Sequence, residues 1–167
     1  MVVAPGAAVA CPPACRIDAV NYELYMSEAI AEARVGAARG ERPIGAVAVM
    51  DDAMVARAHE QVDESGDPTA HAVVVALRES ARRLGRAGLP GLAVFSTVEP
   101  CPMCVGALLE CDADVLIYAT PDPVSGGAGS AVQLARHDGL RRRLRVVSGI
   151  LQDDAADLGP AVSASGG

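Results

Sequence analysis

Apolar and polar positions change their period several times along the chain, and each change predicts an element. From about Asp18 to Arg39, Val20, Leu24, Ile30 and Ala31 recur near helical spacing, and Gly40 closes the segment. IGAVAVM and MVARA flank Asp51-Asp52-Ala53 and read as the two strands of a hairpin. Ser65-Gly66-Asp67-Pro68 is turn chemistry, with Asp67 set to cap a helix that has Pro68 at its first position and runs to about Leu84. LAVFSTV, residues 92–98, predicts a buried strand, and Pro100 opens a further helix through about Cys111. VLIYAT, residues 115–120, is another buried strand. The glycine-rich loop PDPVSGGAGS follows, then a short helix from about Ser130 to Arg136 and a last strand in LRVVSGI. This order of helix, hairpin, then alternating helices and strands predicts a mixed sheet flanked by helices.

Composition bounds the picture. A chain of 167 residues, 51% of them hydrophobic, is long enough for one domain with a real core and too short for two ordinary ones. Residues 1–16 are rich in Ala, Pro and Gly and read as a disordered extension, residues 17–158 as the domain, and 159–167 as a frayed tail. The first fifteen residues are apolar but lack a basic start and are broken by prolines, which argues against a signal peptide. No run is long and apolar enough to span a membrane. Five cysteines, an odd number, then point to a reducing cytoplasm with thiols available for metal. Cys11 and Cys15 read as free thiols in the extension rather than a second metal pair.

Charge and aromatics disfavour nucleic acid as a ligand. There are 21 acidic against 14 basic residues, for a net charge of −7, so no long-range attraction draws in a polyanion. The aromatics are Tyr22, Tyr25, Phe95 and Tyr118, all in a predicted helix or in predicted strands, which leaves a base-stacking platform poorly supplied. Arg141-Arg142-Arg143 with Arg145 could meet phosphate, but a solvated face is the commoner reason for such a run.

The strongest chemical signal lies in DPTAHAVVVALR, residues 67–78, and EPCPMC, residues 99–104. Cys101 and Cys104 stand three apart at a predicted helix start, so both sulfurs share a face. Unpaired N–H groups and the positive dipole end at that start favour thiolates. His71 lies at the start of its own predicted helix, so the two starts can point at one ion. Two thiolates and an imidazole leave a fourth position open, the pattern of a catalytic zinc rather than a closed structural one.

These residues resemble the cytidine deaminase superfamily, in particular the branch of bacterial tRNA adenosine deaminases and guanine deaminases. The resemblance runs from about residue 20 to 155 and includes PIGAVAV, DPTAHA, TVEPCPMCVGAL and DPVSGGAGS. It implies a three-layer α/β/α fold with a five-stranded mixed sheet, usually a dimer, and Zn²⁺ held by His71, Cys101 and Cys104. Cys111 matches no ligand and is assigned to the core. It also implies that Glu60, Ile44 and Ala70 face an amino-purine or pyrimidine substrate.

One residue departs from the pattern. Such a site uses a glutamate two residues after the histidine to move protons, and this chain has Val73 there. Glu79 lies eight residues from His71, about 12 Å along a helix, too far to substitute. Glu99, within EPC, reads as structural, and His59 and His137 as a strand-end and a helix-end histidine. Glu60 stands where relatives commonly carry the Asn that holds the base, and a carboxylate there could replace the missing one. Alternatively, both positions have drifted because catalysis was abandoned. The non-catalytic subunit of eukaryotic tRNA adenosine deaminases likewise has Val at the glutamate position. Two readings follow: hydrolytic deamination with a displaced proton shuttle, or a pseudo-deaminase that pairs with itself or an active paralogue. The acidic C-terminal stretch LQDDAADLG and Val124 in the glycine-rich loop weaken a role on tRNA.

Overall fold

The computed structural model describes residues 21–159. Its elements are α1 (Tyr22–Ala38), β1 (Gly45–Met50), β2 (Ala53–His59), α2 (Val62–Ser65), α3 (Ala72–Leu84), β3 (Ala93–Val98), α4 (Pro102–Glu110), β4 (Val115–Thr120), β5 (Arg145–Ser148) and α5 (Gln152–Ala156). The five strands form one sheet in the order β2-β1-β3-β4-β5. β1 pairs antiparallel with β2 and β3, and β3, β4 and β5 run parallel. This is the mixed sheet expected from the element order.

Alternation along the strands divides the core in two. Val47, Val49, Phe95, Val115 and Ile117 face one side, where Tyr25, Met26, Ala29 and Ile30 of α1 and Ala155 of α5 cover them. Ala46, Ala48, Val94, Leu116 and Tyr118 face the other, under Val73, Val74 and Leu77 of α3 and Val105 and Leu108 of α4. Both faces being covered explains why the central strands read as unbroken apolar runs. α1 lies so close to the sheet that a Cβ at Gly45 would stand 2.0 Å from the Ala29 carbonyl oxygen. Asn21 starts that helix by accepting the Leu24 N–H at 3.0 Å.

Several sequence expectations move. Asp67 does not cap α3. Its carboxylate accepts the Thr69 N–H and hydroxyl at 2.8 and 2.6 Å, and its carbonyl accepts the Ala70 N–H, so Pro68 belongs to a separate turn. α3 therefore starts at Ala72, with His71 as its N-cap. In the same way α4 starts at Pro102 with Cys101 as N-cap, two residues later than Pro100 suggested. Residues 130–136 form no helix. Ser130 is tied to Glu99, Leu134 N–H donates to Gly127, and an isolated bridge joins Ala128 to Gln133, so the segment folds back on the glycine-rich loop. The short helices α2 and α5 were not anticipated. Residues 1–20, with Cys11 and Cys15, and the tail beyond 159 lie outside the described residues. Among the described residues, no helix is long and apolar enough to cross a membrane.

Topology gathers the site at one end of the sheet. β2 and β3 run antiparallel to β1, so the start of β1 lies beside their ends, with Gly45 opposite His59 and Ala46 opposite Ser96. β4 ends alongside β3, with Val98 opposite Thr120. The segments 41–44, 60–71, 99–101 and 121–130 therefore share one rim, where open α/β sheets place their ligand crevices.

Candidate zinc site

The two helix starts on that rim face each other. His71 Nδ1 lies 3.6 Å from Cys101 Sγ and 3.5 Å from Cys104 Sγ, and the sulfurs are 3.7 Å apart. These separations test the fit to zinc. Bonds of about 2.3 Å to sulfur and about 2.05 Å to nitrogen, in a tetrahedron, set sulfurs about 3.8 Å apart and nitrogen about 3.6 Å from sulfur. The triangle matches, and its three ligand atoms all lie within 4.8 Å of one another. Three donors with a cavity over the fourth corner are the arrangement of an open site.

Cys101 and Cys104 occupy the N-cap and third positions of α4, where unpaired N–H groups favour anionic sulfur. Taken by themselves, the three side chains share protons unequally. Cys101 and Cys104 share a proton across 3.7 Å, and with His71 adding a second bond this brings Cys101 down to about 4. Cys104, holding that shared proton and buried, is pushed up. His71 is raised, chiefly by its bond to Cys101. Metal ligation would release the Cys104 proton, so zinc binding should be pH-linked.

A cavity of about 160 Å³ opens over this triangle, lined among others by Arg42, Ile44, Glu60, Val73, Val98 and Ser125. Pockets for drug-sized ligands run to about 300–1,000 Å³, so this one suits a single heterocycle. Ile44 is on its wall. Ala70 is not; it is 3% exposed and its carbonyl accepts the Gln61 N–H. Val73 is 3% exposed and lines the cavity beside the donors.

The carboxylates around the cavity are already engaged. Glu60 is 1% exposed; one oxygen pairs with Arg42 and the other accepts the Ala72 N–H at 3.1 Å. Glu99 accepts the N–H groups of Asp122, Ala128 and Ser130 and the Ser130 hydroxyl, anchoring the glycine-rich loop. That anchoring is why Gly126 has no room for a side chain: a Cβ there would stand 2.4 Å from the Glu99 carboxyl carbon. Asp122 Oδ1 accepts the N–H groups of Val124 and Ser125. Arg42 was missed in the sequence; its only signal is a cation placed just before a buried strand. His59 does end its strand but is buried, with Nδ1 3.2 Å from Glu32. His137 ends no helix; it closes a turn by accepting the Gly139 N–H.

Fold and triangle together define a class. The family model for the cytidine and deoxycytidylate deaminase zinc-binding region matches residues 19–120, and the chain belongs to that family. Within it, the chain is similar to tRNA adenosine deaminases. It is 35% identical over 136 residues to the tRNA-specific adenosine deaminase of Bacillus subtilis, covering 81% of this chain and 84% of that one. The corresponding protein of Agrobacterium fabrum is 34% identical over 134 residues, covering 80% and 88%. Among solved structures, one from work on A-to-I editing by tRNA:A34 deaminases superposes with a TM-score of 0.79 at 34% identity, covering 81% and 99%. The guanine deaminase of Bacillus subtilis gives 0.59 at 36% identity, covering 61% and 66%.

Proposed function

We propose that this protein holds zinc through His71, Cys101 and Cys104 and binds an amino-purine or amino-pyrimidine over it, without efficient deamination. Zinc held by these three residues would act as a Lewis acid and lower the pKa of water towards neutrality. The observation that carries the reading is Val73, which lines the cavity beside the donors and has no atom able to carry a proton. General acid–base transfer contributes about 10²–10⁴-fold, and Val73 removes it. Of the cavity carboxylates, Glu60 and Glu99 have both oxygens committed to hydrogen bonds within the fold, which hinders either from replacing it. Such a protein would act as a non-catalytic dimer partner, of itself or of an active paralogue.

A second reading keeps catalysis. Glu60 lines the same cavity, its Oε1 is 3.9 Å from His71 Nε2, and each of its oxygens retains a lone pair. On this reading Glu60 takes and returns the proton. Ammonia release separates the two. Zinc-loaded protein is offered adenine, guanine, cytosine, their nucleosides and a tRNA anticodon stem-loop, with His71→Ala as the blank. Release no greater than the blank supports the first reading. Release that requires both His71 and Glu60 overturns it in favour of the second.

A further inference from the structure

α3 begins without a cap of its own. Its N-cap is His71, whose ring is turned towards the sulfurs and makes no capping bond. The N–H of Ala72, fully buried, would be one of the unpaired donors of a helix start. Glu60, the residue after β2, reaches across and accepts it. The same side chain places Oε1 3.9 Å from His71 Nε2, the ring nitrogen opposite the one that faces the sulfurs. Arg42 holds that oxygen from the other side. Backbone bonds pin the arrangement: Glu60 N–H donates to Ile44 at 3.0 Å and Gln61 N–H to Ala70 at 3.0 Å.

A carboxylate behind a ligating imidazole has a known physical effect. It favours the tautomer with the proton on the distal nitrogen and leaves the other free to bind metal. At 3.9 Å Glu60 acts on His71 through its field and through the helix backbone it caps, rather than by a direct hydrogen bond. We infer that Glu60, locked by Arg42, is a positioning residue for the metal: it fixes the start of α3 and the orientation and tautomer of His71. This rests on the zinc reading above but not on whether the protein deaminates.

The test is zinc affinity of the full-length protein, by competition with a chromophoric chelator, with the visible spectrum of the Co²⁺-substituted protein alongside. Glu60→Ala should weaken zinc about 10–100-fold and shift the Co²⁺ bands. Glu60→Gln keeps an oxygen for the Ala72 N–H and should recover part of the loss. Arg42→Gln should lose less than Glu60→Ala, because Ala72 still holds the carboxylate. Should Glu60→Ala fail to fold, Glu60→Gln decides, and its affinity must still fall below wild type. Wild-type affinity and spectrum in the folded Glu60 variants would overturn the inference. So would a loss in Arg42→Gln equal to that in Glu60→Ala, which would assign the ordering to Arg42. Loss of ammonia release at unchanged zinc affinity would make Glu60 a proton shuttle instead. A wild-type chain that binds no zinc would refute the zinc reading itself.

Discussion

At the scale of single residues, Val73 lines the cavity beside His71, Cys101 and Cys104 and has no atom able to carry a proton. If residue 73 is what is missing, Val73→Glu should raise ammonia release from a small amino-purine or pyrimidine by about 10²–10⁴-fold over wild type. No gain, in a variant that still binds one zinc, would mean that Arg42 and Glu60 have also closed the site to catalysis. A second residue-scale prediction concerns the thiols after chelation of the metal. Cys101 is brought down to about 4 by the Cys104 and His71 hydrogen bonds, so it is thiolate throughout neutral pH. Its alkylation by iodoacetamide should therefore be nearly flat from about pH 5 to 8, where an ordinary thiol gains about tenfold per unit. Cys104, pushed up by its shared proton and burial, should remain unmodified. Peptide mapping by mass spectrometry reads both, and a Cys101 rate that climbs steeply with pH would contradict the hydrogen-bond account.

Between elements, the important groups are those that tie a loop or helix to the rim. Glu99 satisfies three backbone N–H groups of the glycine-rich loop. Glu99→Ala should strand those donors at about 1–3 kcal/mol each in the worst case. The expected signature is faster hydrogen exchange at Asp122, Ala128 and Ser130, with α1 and its face of the sheet unchanged. α1 depends instead on Gly45, where an added Cβ would meet the Ala29 carbonyl and the Ala33 nitrogen at 2.0 and 2.6 Å. Gly45→Ala should cost at least about 1–3 kcal/mol in denaturant unfolding, since helix and strand must separate to admit the methyl. These ties also show where sequence reasoning stopped. Asp67 is a plausible helix cap from its neighbours alone, but Thr69 and Ala70 capture it first. The helix expected over residues 130–136 fails for a similar reason, because Glu99, thirty-one residues away, claims Ser130.

For the whole molecule, the three donors join the starts of α3 and α4 across the rim, so metal binding should be folding energy as well. Free zinc at about a hundred times its dissociation constant contributes about 2.7 kcal/mol. For a domain of this size that raises the melting temperature by about 5–10 °C, and EDTA should remove the gain. His71→Ala should melt at the same temperature with and without EDTA. A wild-type curve indifferent to EDTA would leave the triangle without a stabilising ion.

The layered fold and the grouping of His71, Cys101 and Cys104 were legible from the chain alone. Both depend on short-range patterns: apolar runs that need cover on two faces, and His or Cys spaced to share a helix start. The motif around His71 also puts Val73 where the family resemblance implies a carboxylate. The partners of Glu60, and the presence of Arg42 at the cavity, emerge only in the folded chain. Glu60 meets Arg42 and Ala72 because β1 and β2 run antiparallel and the turn at 67–70 brings α3 back to the rim. Those partners lie 18 and 12 residues away, and no local period encodes them. The chemistry of a buried carboxylate is set by which donors reach it, and that is a property of the packed chain.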